Sequence, residues 1–361
     1  SSHLGSSHLV PMSLQARFGK ISHATTSSSV ENAGGSESKD HKGARTIKTV
    51  SDFGDFYQLG REVMPSTHSY MKVQFATRKR DGLDCVIKVR LKPSCFRSRE
   101  DERQWRYNTE ILLNMPDYVG VAKLYEVLED KSAFYVAMEK VSGMDLFETL
   151  EQEGNISVPA AREIVQQLLA SLIHLSGHNA VHKDLKLENV MLESGRRSVK
   201  MIDFDTLEEW TPNTPISKDV VGTDQYIAQE AYGGRYSPLS DIFSTGVIAY
   251  RLLTGKFPYI DEIFDDEAGE NYVGSSKMAQ IQRRLKVAKV DFSAPVFRDN
   301  PQASDLVARM LAYSEAHRPT AAAALEHPWF QEDVTGRINV ARNEYEDLLD
   351  DGIIIAQSHP S

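Results

Sequence analysis

Short apolar segments and longer helical repeats divide the chain into two differently patterned halves. In the first half, residues 73–77 and 85–91 are rich in β-branched and aromatic side chains and flank a turn at Asp81-Gly82. This pattern is typical of two strands joined in a hairpin. Residues 134–138 predict another short strand, and the charged segment 99–115 predicts a helix. We therefore expect a small sheet with one helix.

The second half has the spacing of buried helices. Apolar side chains recur at helical intervals in one segment that leads to residue 182; they are Ile164, Val165, Leu168, Leu169, Leu172 and Ile173. Residues 242–253, which are followed by Gly255, and residues 303–311 are two further apolar helical stretches. Together the two halves predict an α+β fold in which a sheet-based unit precedes a mainly helical one.

The two ends of the chain lie outside these patterned halves. Residues 1–50 are rich in Ser and Gly without apolar periodicity, and we expect a disordered tail. We interpret its first dozen residues as a remnant of an expression tag. Residues 331–361 form a second, acidic tail. Its carboxylates lack the alternating spacing and final Glu of a calcium-binding loop, so we expect no EF-hand in this chain.

Composition narrows the class of protein. The 361 residues carry a formal net charge of −10, which argues against nucleic acid as the main partner. No apolar run approaches the roughly 18 residues of a membrane span. Cys85 and Cys95 are too few for a disulfide framework, which favours a reducing compartment. We therefore expect a cytoplasmic, intracellular enzyme.

One stretch specifies the chemistry: residues 182–189, with the sequence His-Lys-Asp-Leu-Lys-Leu-Glu-Asn, followed by Asp203 after a short apolar strand. Phosphoryl transfer needs a carboxylate that positions the acceptor, a cation near the phosphate, and oxygen ligands for a divalent metal. Asp184 suits the first task and Lys186 the second. Asn189 and Asp203 supply oxygens suited to Mg²⁺ or Mn²⁺. The His of the motif is interpreted as a packing residue.

With these motifs in order, residues 56–330 resemble the eukaryotic protein-kinase fold, and most closely its calcium/calmodulin-dependent Ser/Thr group. Four further segments resemble the corresponding segments of that group; they are residues 57–62, 123–130, 318–320 and 325–330. The resemblance covers about three-quarters of the chain. It implies a two-lobed α+β structure, with an N-lobe at 51–138, a C-lobe at 139–330, and ATP bound between them.

The resemblance assigns further roles. Lys88 matches the strand lysine that holds the α- and β-phosphates, and Glu110 matches its ion-pair partner on the charged helix. Met138 matches the residue beside adenine, and the backbone of Glu139 and Val141 is expected to bond adenine. In the same way, Asp241 matches an aspartate that braces the catalytic loop.

A second segment indicates the class of substrate. Residues 222–230 resemble the end of an activation segment, where a peptide substrate lies, and Glu230 is expected to pair with Arg318. This segment implies a protein substrate. Asp145 and Glu188 match acidic positions that attract basic residues upstream of the phosphoacceptor, so a basic peptide is expected.

Three departures from the pattern concern activity. The nucleotide-covering loop, residues 64–69, lacks its expected glycines, although Val63, Ser66 and Ser69 are still expected to contact the nucleotide. Losing two backbone hydrogen bonds of roughly 1 kcal/mol each would weaken ATP binding by about thirtyfold. Asp205 replaces a glycine, and we expect its carboxylate to repel Asp203 and attract divalent cations. A Lys precedes Asp184 where the group has Arg, which weakens the case for control by phosphorylation of the segment.

Two functions remain open. The first is an ATP-dependent Ser/Thr protein kinase with weakened nucleotide binding, because every charged catalytic residue named above is present. The second is a pseudokinase that acts as a scaffold or allosteric regulator, which the altered loop and Asp205 favour.

Overall fold

The computed structural model of the chain describes residues 43–64, 70–92, 94–154, 156–194, 198–267 and 269–331. Two sites expected to contact the nucleotide, Ser66 and Ser69, lie outside these residues. So do residues 1–42 of the predicted N-terminal tail and residues 332–361 of the acidic C-terminal tail.

A six-stranded sheet forms the first part of the structure. Its strands are β1 (Lys48–Thr49), β2 (Tyr57–Met64), β3 (Met71–Arg78), β4 (Asp84–Leu91), β5 (Leu124–Glu129) and β6 (Ala133–Glu139). They lie in the order β1-β5-β6-β4-β3-β2, and all neighbours are antiparallel except β1 and β5. The predicted hairpin is present, and Gly82 in its turn has a φ of 72°, which favours glycine.

Strand β1 corrects the predicted end of the N-terminal tail. Lys48 and Thr49 pair in parallel with Leu128 and Glu129 of β5, and the backbone N–H of Val50 donates to Glu129 O at 2.8 Å. This strand is two residues long and polar, so its sequence has no strand periodicity. Pairing with the edge of the sheet holds it in place, and the fold therefore begins before residue 50.

Helix α1 (Arg99–Asn114) packs beside the sheet, as the charged segment predicted. Its N-cap is Ser98, whose hydroxyl accepts a hydrogen bond from Asp101 N at 3.1 Å, a contact worth about 1 kcal/mol. Three acidic residues in the first turn favour the positive end of the helix dipole. Trp105 and Leu113 are its buried residues, and they fix which face of α1 meets the sheet.

The second part of the structure is mainly helical. Its helices are α2 (Leu146–Glu153), α3 (Val158–Gly177), α4 (Pro238–Thr254), α5 (Ser276–Val287), α6 (Pro295–Asp299), α7 (Pro301–Met310) and α8 (Ala321–Leu325). The arrangement confirms the predicted α+β architecture of a small sheet-based part and a larger helical part. None of the helices in the described residues is long and apolar enough to cross a membrane.

Helices α3 and α4 form the centre of this part. Ile164, Val165, Leu168, Leu169 and Leu172 of α3 are buried in one core, as predicted. Ile173 is instead 37% exposed, because it lies at the edge of the apolar face, about 180° round the helix from Ile164. Helix α4 begins with a capping box at Ser237 and ends at Gly255, which has a φ of 71°.

Short strands surround the loop that carries the sequence motif. Strands β7 (Gly143–Asp145), β9 (Val190–Glu193) and β10 (Val199–Met201) form a three-stranded sheet, and β8 (Ala180–Val181) pairs with β11 (Glu208–Glu209). Residues 182–189 connect β8 to β9. The loop is therefore held at both ends by strands.

Candidate active site

The catalytic loop, residues 182–189, is braced by one buried carboxylate. Asp241 of α4 accepts hydrogen bonds from the backbone N–H of His182 at 2.8 Å and of Lys183 at 3.0 Å. Lys183 has a φ of 71°, a left-handed conformation that costs energy for a residue other than glycine. These two hydrogen bonds offset that cost, so Asp241 has the bracing position that the resemblance implies.

His182 is a packing residue, as its sequence context indicated. Its side chain is fully buried, and its Nδ1 lies 3.4 Å from the backbone N of Asp184, which donates to it. Nε2 lies 3.3 Å from the carbonyl oxygen of Ile202. The imidazole thus connects the catalytic loop to the chain just before Asp203.

Two predicted catalytic residues, Asp184 and Lys186, and the predicted metal ligand Asn189 come together with a fourth residue that the sequence analysis missed. The Thr223 hydroxyl donates to Asp184 Oδ1 at 2.8 Å and accepts from Lys186 Nζ at 3.0 Å. Lys186 Nζ lies 3.5 Å from Asp184 Oδ2, and Asn189 Nδ2 donates to the backbone carbonyl of Asp184 at 2.8 Å. We call these four residues the catalytic-loop cluster.

Thr223 had a readable signal. It directly follows Gly222, which has a φ of 123° and whose position leaves no room for a side chain, because an added Cβ would lie 2.8 Å from the carbonyl oxygen of Lys183. The close approach of these two backbones brings Thr223 to the catalytic loop. A glycine followed by a hydroxyl residue in the predicted substrate segment is therefore the pattern that could have identified it.

Asn189 and Asp203 present oxygen atoms suited to a hard divalent cation. The Asn189 side-chain nitrogen is committed to Asp184, which leaves its amide oxygen as the ligand atom. The backbone carbonyl of Asn189 accepts a hydrogen bond from the N–H of Ile202 at 2.9 Å. Because Ile202 directly precedes Asp203 in the chain, this bond keeps Asn189 and Asp203 near each other. Asp203 has a φ of 59°, and its side chain is 40% exposed. This donor set fits Mg²⁺ or Mn²⁺.

Lys88 on β4 is buried between two carboxylates. Its Nζ lies 2.6 Å from Asp203 Oδ1 and 2.7 Å from Asp205 Oδ2. Burial alone would lower the pKa of Lys88, but these two anions raise it above its usual value. Lys88 is therefore held as a cation next to Asp203.

The predicted ion pair between Lys88 and Glu110 is wrong. The cavity that contains Lys88 is lined on the α1 side by Trp105, Thr109 and Leu112, which share one helix face. Glu110 is one residue, about 100°, further round the helix. Its carboxylate accepts the backbone N–H of Ile47 at 3.1 Å and so fastens the segment before β1. Thr109, not Glu110, occupies the position that faces Lys88.

Asp205 contacts two cations of the protein. Arg90 Nη2 lies 2.8 Å from the same Oδ2 that contacts Lys88, and the Arg90 guanidinium lies over the Trp105 ring at 5.3 Å. Burial alone would raise the pKa of Asp205, but Arg90 and Lys88 lower it below its usual value. Its charge is thus balanced within the protein, and the expectation that it attracts divalent cations stays a prediction. We call Lys88, Arg90, Asp203 and Asp205 the Lys88 cluster.

The predicted adenine end of the site lies at the end of β6. Met138 and Lys88 line the same cavity, together with Val136 and Asp203. The Glu139 carboxylate contacts Lys200 and accepts from Lys123 N at 3.1 Å, so it joins the sheet to β10.

The other two described nucleotide-binding candidates lie at the edges of this region. Val141 follows β6 in the connection to β7. Val63 is partly buried near the end of β2, just before the nucleotide-covering loop.

The segment between Asp203 and Glu230 is held by carboxylates at several points. Lys183 Nζ lies 2.5 Å from Glu208 of β11, and the Tyr107 hydroxyl of α1 donates to Glu209 at 2.5 Å. Arg318 forms the expected ion pair with Glu230 through two contacts, of 2.7 and 2.9 Å, and both side chains are buried. Lys183 replaces the arginine that, by the resemblance, would bind a phosphorylated activation segment. Its ammonium group is already paired with Glu208.

The acidic positions expected to attract a basic substrate lie beside the catalytic loop. Asp145 caps α2 by accepting from Glu148 N at 2.8 Å. Burial first, and then the nearby Glu148 and Glu188, raise the pKa of Asp145 to about 6. Glu188 Oε2 is buried and accepts no hydrogen bond within the described residues.

Comparison with known proteins agrees with this geometry. Residues 69–330 match the protein kinase domain family. The chain is 32% identical over 268 residues to calcium-dependent protein kinase 4 of Plasmodium berghei, covering 73% of this chain and 47% of that protein. It is 30% identical over 291 residues to calcium-dependent protein kinase 34 of Arabidopsis thaliana, covering 79% and 52%.

A third relative is matched over more of its own length. The chain is 27% identical over 292 residues to a CaM kinase-like vesicle-associated protein of Xenopus laevis, covering 80% of this chain and 74% of that protein. By contrast, the chain spans about half the length of the calcium-dependent kinases it matches. The chain belongs to the eukaryotic protein kinase superfamily and is similar to its calcium-dependent and CaM kinase-like members.

Proposed function

We propose that this chain is a Ser/Thr protein kinase that transfers the γ-phosphate of ATP to a hydroxyl of a protein substrate. The observation that carries the proposal is the Thr223 hydroxyl, which joins Asp184 to Lys186 with hydrogen bonds of 2.8 and 3.0 Å. It holds a carboxylate and an ammonium group close together at the start of the predicted substrate segment. Positioning of charged groups, together with electrostatic stabilisation, is the main contribution of a protein to phosphoryl transfer.

The chemical step follows from these positions. Asp184 accepts a hydrogen bond from the substrate hydroxyl and takes its proton as the hydroxyl oxygen bonds to the γ-phosphorus. The bond from that phosphorus to the bridging oxygen breaks, and ADP leaves with the electron pair. Lys186 stabilises the charge on the transferring group.

The remaining polar groups bind the nucleotide and its metal. Lys88 would contact the α- and β-phosphates, while the backbone of Glu139 and Val141 would bond adenine beside Met138. Asn189 and Asp203 would hold Mg²⁺ or Mn²⁺, which offsets phosphate charge when bound. We also propose contacts from Val63, Ser66 and Ser69, with binding weakened by the missing loop glycines.

We propose that the substrate is a protein with basic residues upstream of the phosphoacceptor. Support comes from Glu188, whose buried Oε2 accepts no hydrogen bond within the described residues, and from the neighbouring Asp145. A positively charged side chain would relieve both. We expect Glu188→Gln to raise the KM for an Arg-containing peptide more than for its Ala counterpart, and equal changes would contradict this preference.

One observation favours a second function, a pseudokinase that acts as a scaffold or allosteric regulator. In the described chain, Lys88 is paired with Asp203 and Asp205 but not with an acid of α1. An altered Lys88 environment is compatible with nucleotide binding without transfer.

Transfer of labelled γ-phosphate from ATP to a basic Ser peptide, with Mg²⁺ or Mn²⁺, tests the proposal. The parent should phosphorylate the peptide, and Asp184→Asn should reduce the rate by about 10²- to 10⁴-fold. The matched control is Asp81→Asn, which changes an exposed turn residue paired with Arg78 and should leave the rate unchanged. A folded parent that transfers no phosphate at millimolar ATP would contradict the kinase proposal and favour the pseudokinase alternative.

A further inference from the structure

Asp205 contacts both cations of the Lys88 cluster through one oxygen. Its Oδ2 lies 2.7 Å from Lys88 Nζ and 2.8 Å from Arg90 Nη2. Asp203 takes a second N–H of Lys88 at 2.6 Å. Because an ammonium group has three donors, two carboxylates fix its orientation and leave one donor for another acceptor. Lys88 is thus oriented by two residues that lie two positions apart in the chain.

Helix α1 contributes no carboxylate to this arrangement in the described chain. Thr109 lines the cavity with Lys88 and Asp205, whereas Glu110 points to the N–H of Ile47. A second carboxylate for this buried lysine cation, besides Asp203, therefore comes from another element. Asp205 supplies it from the opposite wall of the cavity.

Arg90 links Asp205 to the helix without an acid on the helix. Lys88 and Arg90 are two residues apart on β4, so their side chains project to the same face. The Arg90 guanidinium stacks on Trp105 of α1, one turn before Thr109. The two cations and two carboxylates of the Lys88 cluster sum to zero charge, so the cluster is balanced without a charge from α1.

We propose that Asp205 is the positioning residue for Lys88, replacing a helix carboxylate, and that Arg90 stacked on Trp105 fixes Asp205 in turn. The inference rests on the proposed function only in taking the remaining Lys88 acceptor to be a nucleotide phosphate. Asp205 acts through Lys88 and does not itself touch the nucleotide.

Two variants that keep the net charge of the cluster separate positioning from simple electrostatic attraction. Arg90→Met/Asp205→Asn removes one cation and one anion, so Lys88 keeps Asp203 alone. Thr109→Glu/Asp205→Asn moves the carboxylate from residue 205 to the helix face that lines the same cavity. Because neither variant changes the summed charge, a change in ATP affinity reports how Lys88 is held.

Calorimetry with ATP and Mg²⁺ measures the effect. We expect Arg90→Met/Asp205→Asn to bind ATP about tenfold or more weakly, the size of one lost charge-assisted hydrogen bond. Thr109→Glu/Asp205→Asn should recover most of the affinity. Unchanged or tighter binding by the first variant overturns the proposal, and so does failure of the second, folded variant to bind better than the first.

The readout does not depend on turnover, so failure of the proposed function is distinguishable. A parent that binds ATP but transfers no phosphate contradicts the kinase proposal and leaves the affinity comparison intact, whereas a parent that binds no ATP overturns both. Thermal melting verifies that each variant is folded. If Arg90→Met/Asp205→Asn does not fold, Arg90→Met/Asp205→Gly replaces it, because glycine leaves no unpaired polar side chain beside the substituted position on β4.

Discussion

The two charged clusters of the active site keep their family pattern to different degrees. In the catalytic-loop cluster, Asp184, Lys186 and Asn189 lie together as their spacing indicated, and Thr223 joins them. In the Lys88 cluster, the helix carboxylate is absent, and Asp205 with Arg90 stands in its place. The catalytic-loop cluster thus follows the family motif, whereas the Lys88 cluster has different partners around the same lysine.

The difference shows which contacts depend on local sequence. Asp184 to Asn189 is a single loop held by Asp241, so residue spacing alone nearly fixes its geometry. Lys88 needs a partner from a distant element, and any wall of the cavity can provide one. A carboxylate at residue 205 satisfies the same electrostatic requirement as one on α1. We therefore expect changes in the two clusters to have separable effects.

The largest separation should come from Lys186→Met. Lys186 contacts Thr223 and Asp184 but belongs to the catalytic-loop cluster alone, so the transfer rate should fall by about 10²- to 10³-fold. ATP affinity, measured by calorimetry, should stay within about twofold because Lys88 is untouched. A matching loss of ATP affinity would show that the two clusters are not independent.

The next effect is on stability. Asp205→Asn alone leaves Lys88 and Arg90 with one carboxylate between them, and we expect a loss of about 2–3 kcal/mol in the free energy of unfolding, since Asp205 is a quarter exposed. Arg90→Met/Asp205→Asn should recover much of that loss. Urea unfolding of the single and double variants measures the coupling. Additive losses would mean that Arg90 and Asp205 do not act as a pair.

Thr223→Val should have a smaller effect on the rate. It leaves Asp184 Oδ1 and Lys186 Nζ without the hydroxyl between them, which should slow peptide phosphorylation by about tenfold. Thr223→Ser keeps the hydroxyl and should retain most of the activity. Equal loss in the Val and Ser variants would assign Thr223 a packing role and weaken the comparison on the catalytic-loop side.

The smallest effect contrasts two acids in different surroundings. Asp205 has two cations beside it, whereas the pKa of Asp145 is raised to about 6 because it is buried near other carboxylates. The folded state therefore holds the Asp145 proton more tightly than the unfolded state, and stability should fall as pH rises from about 4 to 6. Asp145→Asn keeps the helix cap and removes this penalty.

Urea unfolding at pH 4 and pH 7 measures this difference. We expect Asp145→Asn to gain about 1 kcal/mol relative to the parent between these values, after allowance for solvent screening. A gain that is the same at both pH values would show that Asp145 does not titrate in this window.

Much of the fold could be predicted because it is encoded locally. The hairpin of β3 and β4, the charged helix α1 and the core of α3 follow from period-two and helical patterns. Strand β1 could not be predicted, since its two polar residues depend on pairing with β5. The spacing predicted that Ile173 is buried, but it is 37% exposed, because the width of the packed face depends on the elements around α3.

The candidate site could be predicted where it is a continuous loop. Glu110 was misassigned because its position on α1 did not show which face of the helix it occupies. Trp105 and Thr109, one helical turn apart, line the cavity that contains Lys88, and Glu110 does not. Arg90 had a signal in the alternation of β4, two residues after Lys88. Its pairing with Asp205 could not be predicted, because β4 and residues 203–205 meet only in the folded chain.

The most direct test compares Glu110 and Asp205 as the carboxylate that accompanies Asp203 beside Lys88. Initial rates of peptide phosphorylation are measured over a range of ATP concentrations for the parent, Glu110→Gln and Arg90→Met/Asp205→Asn. We predict that Glu110→Gln stays within about twofold of the parent, while the Asp205 variant has a KM for ATP raised by about tenfold or more. A raised KM in Glu110→Gln with a parent-like Asp205 variant would contradict this assignment of the Lys88 partner.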